Sequence, residues 1–216
     1  LSDHRSNGLI LSLFDYSGVW SQPYRENGYE VIQVDLKLGS DIFTFDYQNL
    51  NVMGILAAPE CTDFAVSGAR WFVEKDNDGR TEESIRQVKK TLEIINYLKP
   101  VFWVLENPIG RIHALVPEIG RPLMYFDPCE YALYADNPAE EAYTKRTALY
   151  GRFNSDLVKK PVEPILGSKM HLLGPSEDRA ELRSKTPEGF SRAFFEVNDP
   201  LHKEFYPTKN GVVMFV

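Results

Sequence analysis

Cysteine is almost absent from this chain: its 216 residues hold two, Cys61 and Cys129. Two cysteines cannot build a disulfide framework, and their spacing is not that of a zinc site, so no metal is expected. The expected setting is reducing and cytoplasmic. No apolar run is long enough to cross a membrane, and the opening Leu1-Ser2-Asp3-His4-Arg5 lacks the pattern of a signal peptide. Positive charge is scarce too. Lys and Arg number 24 against 31 Asp and Glu, a net charge of -7, which argues against a general electrostatic grip on nucleic acid. A local basic cleft stays open, since cations gather at Lys145-Arg146, Arg152, Lys159-Lys160 and Lys169. A solvated charged face accounts for the same clusters. There is no internal repeat and no low-complexity linker, and the length fits one domain.

What the chain does contain is a series of short apolar runs and helical patterns. Leu9-Ile10-Leu11-Ser12-Leu13-Phe14 reads as a buried parallel strand over 9–14. Asp15-Tyr16-Ser17-Gly18 follows as a turn able to cap a helix over 19–27, with Trp20 and Tyr24 on one face and Gly28 as its stop. A second strand over 30–35 ends in Asp35. That acid comes about twenty residues after the turn, the spacing of a carboxylate that binds ribose hydroxyls. Only Gly18 stands where a dinucleotide fingerprint wants three glycines, so an ordinary βα turn without a ligand fits equally well. Asp41 lies in the next loop.

A third strand over 52–57 leads into Ala58-Pro59-Glu60-Cys61-Thr62-Asp63-Phe64. The proline stops the strand and sets Cys61 beyond its carboxyl end, where ligands bind in open α/β sheets. From this alone, Cys61 is either a nucleophile or a small core residue. The stretch 65–79 is irregular and is expected to form a flexible loop beside the site. Ile85, Val88, Leu92, Ile95 and Leu98 recur at helical spacing and predict a helix over 81–98. A fourth strand over 101–105 runs into Glu106-Asn107-Pro108, and parallel pairing would bring that carboxylate to the sheet edge of Cys61. Further on, the pattern predicts a strand or strand-turn over 125–131, a polar loop over 132–141 and a strand over 144–151 that carries Lys145 and Arg146 to the sheet edge. A loop over 167–184, a helix over 187–197 and a surface tail complete the chain.

In this order the motifs resemble those of the DNA (cytosine-5) methyltransferases, most closely the compact, phage-type members. The family's opening signature is matched by Leu13-Phe14-Asp15-Tyr16-Ser17-Gly18-Val19-Trp20-Ser21, its second-strand acid by Asp35 and its adenine-binding acid by Asp41-Ile42. The Pro-Pro-Cys loop is matched by Pro59-Glu60-Cys61, and the Glu-Asn-Val signature by Glu106-Asn107-Pro108. Thr144-Lys145-Arg146-Thr147 corresponds loosely to the Gln-x-Arg-x-Arg strand, and Thr186-Pro187 through Phe194 to the final helix motif. Each motif is weak alone; their order is specific.

The resemblance implies an α/β fold with a doubly wound, mostly parallel, Rossmann-like sheet, and transfer of a methyl or related alkyl group from S-adenosyl-L-methionine to carbon 5 of cytosine. Cys61 would add to carbon 6 of the base, since thiolate is a strong nucleophile. Glu106 would hold the base and donate a proton, and Arg146 would position base or phosphate. Phe14, Asp15, Ser17, Gly18, Trp20 and Pro59 would surround the cofactor, with Asp35 on its ribose and Asp41 on its adenine amine. Glu60, Asn107 and Lys145 would face the substrate. A base in duplex DNA would have to be flipped out to reach Cys61.

Several positions depart from the family pattern. Tyr16 replaces its first glycine, Ser12 its leading aspartate, and Glu60 a proline beside the nucleophile, where a carboxylate tends to raise a thiol pKa. The final motif reads Arg183-Ser184-Lys185-Thr186-Pro187, whose cations suit a more acidic, carboxylated cofactor. Between Tyr150 and Arg183 lie only about thirty residues, too few for a full-size target-recognition domain. The chain is therefore expected to be a single catalytic domain acting on single-stranded DNA or with relaxed sequence specificity, or with a protein partner for targeting. Three other readings stay open: the same chemistry on a free pyrimidine nucleotide, a non-catalytic DNA- or cofactor-binding relative, and an unrelated α/β protein with Cys61 in its core.

Overall fold

The computed structural model describes residues 6–168 and 184–202. Lys169, Arg183, most of the expected loop over 167–184 and the tail beyond 202 lie outside them. Six strands form one sheet: β1 (Leu9–Leu13), β2 (Glu30–Val34), β3 (Val52–Ala57), β4 (Phe102–Pro108), β5 (Met124–Phe126) and β6 (Thr147–Arg152). Their order is β2-β1-β3-β4-β6-β5. The first three pairings are parallel, and β6 and β5 are added antiparallel. This is a doubly wound, Rossmann-like α/β sheet. The chain leaves β1 first to one side and later returns to its other side. The switch point therefore lies between the carboxyl ends of β1 and β3, where ligands bind in such sheets.

Among the described residues the helices beside the sheet are α1 (Gln22–Glu26), α2 (Phe72–Asn77), α3 (Arg80–Leu98), α4 (Ile112–Leu115) and α5 (Glu188–Asn198). Strand side chains alternate between two cores, as a pleated strand buried on both faces requires. Leu11, Leu13, Ile55, Ala57 and Leu105 pack with Val88, Ile94 and Ile95 of α3. Ile10, Leu56, Phe102 and Val104 pack with Tyr24 of α1 and Phe190 and Phe194 of α5. In the second core the Phe126 and Phe190 rings stack at 3.7 Å between centroids. Helix α3 ends at Leu98 because Lys99 turns left-handed and Pro100 cannot continue it.

Four sequence expectations need correction. Helix α1 spans five residues rather than 19–27, because the Asp15 carboxylate gathers Gly18 and Ser21 into a turn before it. The stretch 65–79 is not a flexible loop: it forms a 3-10 segment, Val66–Trp71, and then α2, both docked on the Cys61 loop as described below. Over 125–131 the expected strand-turn is present: β5 stops at Phe126, where Asp127 and Glu130 cap a 3-10 turn. Lys145 and Arg146 precede β6 instead of lying on it, since the Lys145 N–H is taken by the Asp127 side chain at 2.8 Å. The expected polar loop over 132–141 holds two short 3-10 turns, Ala132–Tyr134 and Pro138–Glu141.

Candidate active site

The turn after β1 is built around Asp15. Its buried carboxylate accepts from the Ser12 hydroxyl at 2.8 Å, the Ser21 hydroxyl at 2.9 Å and the Gly18 N–H at 2.9 Å. Gly18 has a φ of 69°, which the turn requires and glycine supplies without strain. Phe14 has a φ of 59°, an uncommon conformation for a residue with a side chain, and such outliers gather at functional sites. Phe14 lines a pocket of about 100 Å³ at the carboxyl ends of β1 and β2, together with Asp35, Leu36, Asp41, Ile42 and Phe43. Asp35 and Asp41 each use one carboxylate oxygen to hold their own turns, accepting from the Lys37 and Phe43 N–H groups. The acceptor set fits a nucleoside: two carboxylates that can accept from hydroxyls and an amine, with apolar walls between them.

The Cys61 loop is closed on itself and pinned from two sides. The Cys61 carbonyl accepts from the Phe64 and Ala65 N–H groups at 3.1 and 3.0 Å. Glu60 accepts from the Cys61 and Thr62 N–H groups, both at 2.9 Å, so its carboxylate serves the loop backbone. Lys75 of α2 donates to the Thr62 carbonyl and pairs with Asp63 at 2.8 Å, and Ser84 of α3 donates to the other Asp63 oxygen. From the far side, the turn after β4 bonds to the same loop: Arg111 N–H to the Phe64 carbonyl, Val66 N–H to the Ile109 carbonyl, each at 3.0 Å. Gly110 permits this approach, since a Cβ there would lie 1.9 Å from the Phe64 carbonyl oxygen. The Arg111 side chain lies over the Phe72 ring and pairs with Asp76. Cys61 itself is half-buried, and neither cysteine forms a disulfide.

Glu106 is buried at the carboxyl end of β4, beside the strand that leads to Cys61. Thr186 donates to its carboxylate at 3.1 Å, and the Lys145 ammonium lies 4.0 Å away. Burial pushes the Glu106 carboxyl above the usual range; Lys145 and the Thr186 hydrogen bond oppose this, and the charge of Asp15 adds to it. Asn107 is fully buried, and neither its amide nitrogen nor its amide oxygen has a hydrogen-bond partner. Such an orphaned pair is rare and calls for an explanation in a native site.

The predicted residues thus fall into groups. Phe14, Asp35 and Asp41 share the pocket, with Asp15, Ser17 and Gly18 forming the turn beside it. Pro59, Glu60 and Cys61 form one loop; Glu106, Asn107 and Lys145 lie at the next strand's end. One expectation fails on geometry. Trp20 is wholly enclosed beneath Phe190 and Phe194, which leaves it no surface for a cofactor. Arg146 turns toward Asp127 and Glu130, and it is Lys145 that reaches Glu106. Sequence reading missed Asp63, Lys75, Ser84, Arg111 and Thr186, which hold the site, and Glu83 and Gln87, which line the pocket from α3. The last two stand one helical turn apart on the polar side of α3, the one pattern that could have drawn attention to them.

Among the described residues, no group of three or more His, Cys, Asp or Glu is placed to hold a metal ion, and no helix is long and apolar enough to cross a membrane. No protein-family model matches the sequence, and no curated protein matches it. Among solved structures, the chain is similar to a candidate DNA modification methyltransferase encoded within an Escherichia coli prophage, with 13% identity and a TM-score of 0.45 over 80% of this chain and 50% of that one. It is also similar to a methyltransferase from Entamoeba histolytica, with 10% identity and a TM-score of 0.42 over 80% of this chain and 61% of that one. The chain thus spans about half to three-fifths of the length of these structures. At such values the fold assignment stands on the strand order itself.

Proposed function

We propose that this chain is a DNA (cytosine-5) methyltransferase-like enzyme that modifies carbon 5 of cytosine through a covalent adduct with Cys61. The observation that carries the reading is the convergence at one sheet edge of the Phe14, Asp35 and Asp41 pocket, the Cys61 loop and buried Glu106. S-adenosyl-L-methionine, when bound, supplies an electrophilic methyl group; Asp35 would accept from its ribose hydroxyls, Asp41 from its adenine amine, and Phe14 would pack on the base. The Cys61 thiolate forms a bond to carbon 6 of cytosine, which turns carbon 5 into a nucleophile. Glu106, whose carboxyl burial pushes above the usual range, would give a proton to ring nitrogen 3 as the adduct forms and take it back when the adduct collapses. With the methyl group on carbon 5 and the cofactor left as its neutral thioether, loss of the carbon 5 proton to solvent would expel the Cys61 thiolate and restore the aromatic ring. Lys145 steadies the Glu106 carboxylate after it has given up its proton.

We take these residues as one catalytic domain, with too short a stretch between Tyr150 and Arg183 to hold a full-size base-reading domain there, acting on single-stranded DNA or with relaxed sequence specificity. Incubation with S-adenosyl-L-methionine and DNA, followed by mass spectrometry of the nucleosides, tests the reading and reports the mass of the group transferred. Transfer to dCMP but not to DNA would favour the free-nucleotide reading, which the net charge of -7 supports. No transfer to either, with cofactor binding intact, would leave a non-catalytic relative. A heavier adduct would indicate the carboxylated cofactor for which Lys185 and Arg183 argue.

A further inference from the structure

Two exposed aromatic rings, one in the segment after the Cys61 loop and one on β5, each carry a guanidinium over their face. Trp71 closes the segment that follows the Cys61 loop; it is 48% exposed, with the Arg70 guanidinium 5.2 Å from its ring centre. Tyr125 of β5 is 42% exposed, with the Arg146 guanidinium 5.7 Å from its ring centre. In the sheet order Tyr125 lies two strands from Glu106. Trp71 belongs to the excursion between β3 and β4. Tyr125 stands on the edge strand beyond β6, in register with Ala148 and through it with Asn107. Arg146 is held over Tyr125 by Asp127 at 3.1 Å, which fixes its plane and neutralises part of its charge.

An exposed ring paired with a guanidinium offers flat, polarisable surface to bases that have no pairing partner, whatever their identity. We propose that Trp71 with Arg70 and Tyr125 with Arg146 are two stacking platforms for single-stranded DNA, holding the nucleotides on either side of a base delivered to Cys61 and Glu106. The location rests on the methyltransferase reading of the site. The occupant is argued from the platforms. In a duplex the bases already stack on one another and present few faces to a side chain. With a net charge of -7 the chain has little to gain from neutralising phosphates, so stacking must supply most of the affinity and the salt dependence must be shallow.

Fluorescence anisotropy with labelled oligodeoxynucleotides of about a dozen nucleotides tests this in the absence of cofactor. The unaltered chain is expected to bind the single strand more tightly than its duplex or the matching RNA. Trp71→Ala and Tyr125→Ala should each weaken single-strand binding by roughly tenfold, whereas Trp71→Phe and Tyr125→Phe should largely retain it. Where Trp71→Ala does not fold, Trp71→Leu keeps apolar bulk without the ring and is read in the same way. Single-strand binding unchanged in the ring-less variants, or tighter binding of duplex or RNA, would overturn the proposal. Nucleoside mass spectrometry separates the two readings. Methyl transfer with unaltered binding in the alanine variants removes the platforms alone. Ring-dependent binding without any transfer removes the methyltransferase reading alone.

Discussion

Lys75 and Asp63 form a buried ion pair at 2.8 Å, and the same ammonium donates to the Thr62 carbonyl at 2.7 Å. A cation from α2 is therefore fastened to both residues that follow Cys61, and the Asp63 carboxylate is shared with Ser84 of α3. Removing one partner of a buried pair leaves an uncompensated charge and costs about 3–5 kcal/mol. Lys75→Met and Asp63→Asn are each expected to destabilise the fold by an amount of that order, measured by urea denaturation. The double variant Lys75→Met/Asp63→Leu should recover part of the loss, because no charge is then stranded. Additive losses would show that the two residues do not act as a unit.

The same pair explains why part of the site was hidden from the sequence. Nothing in Glu74-Lys75-Asp76-Asn77-Asp78 marks Lys75 as buried; the stretch reads as a charged turn, and its helix exists because the lysine finds Asp63. The parallel half of the sheet was legible, since apolar runs of strand length alternate with turns and one long periodic helix. The antiparallel half was not. In β4 the site residue Glu106 comes near the end of the strand, but β6 runs the other way, so the residues that reach the same edge precede it. That is why Lys145, in the loop before β6, meets Glu106, while a strand drawn over 144–151 would have placed it within the sheet. Trp20 was misplaced for a related reason: its motif position says that it belongs near the turn, and only packing shows that it faces α5.

Gly110 tests whether the two turns must touch. A methyl group at this position would sit 1.9 Å from the Phe64 carbonyl oxygen, a backbone atom with no rotamer to move. Gly110→Ala is expected to separate the β4 turn from the Cys61 loop, breaking the Val66–Ile109 and Arg111–Phe64 hydrogen bonds. Transfer activity should fall by about a hundredfold, because small displacements of a nucleophile are costly. Affinity for the proposed cofactor, assigned to the pocket at β1 and β2, should change by less than about twofold. The two are separated by single-turnover rates and calorimetric titration.

The pocket predicts its own selectivity. Asp35→Ala and Asp41→Ala each remove a carboxylate that lines the pocket, and under the proposed function each should weaken binding of S-adenosyl-L-methionine by about tenfold, the worth of one hydrogen bond to a charged group. Gln87→Ala, on the α3 wall of the pocket, should weaken it less, since Gln87 is uncharged. Isothermal titration calorimetry measures all three. Equal affinity in the aspartate variants would mean that the pocket is not the cofactor site.

Glu106 sets a conflict between stability and chemistry that pH should expose. Burial raises its pKa in the folded chain above the unfolded value. The folded state therefore binds more protons than the unfolded state between those two values, and stability falls as pH rises through that interval. Glu106→Gln removes the charge and keeps an acceptor for Thr186. It is expected to be more stable than the unaltered chain above the interval, with the advantage shrinking to nothing below the ordinary glutamate range. Thermal denaturation from about pH 4 to about pH 9 measures the difference. Activity should move the opposite way. The glutamine cannot donate and recover a proton, so turnover should drop by roughly 100- to 10,000-fold. In the unaltered chain, the rate should decline on the alkaline side as Glu106 loses its proton. A Glu106→Gln chain that is no more stable at alkaline pH would mean that Lys145 already compensates the buried charge in full.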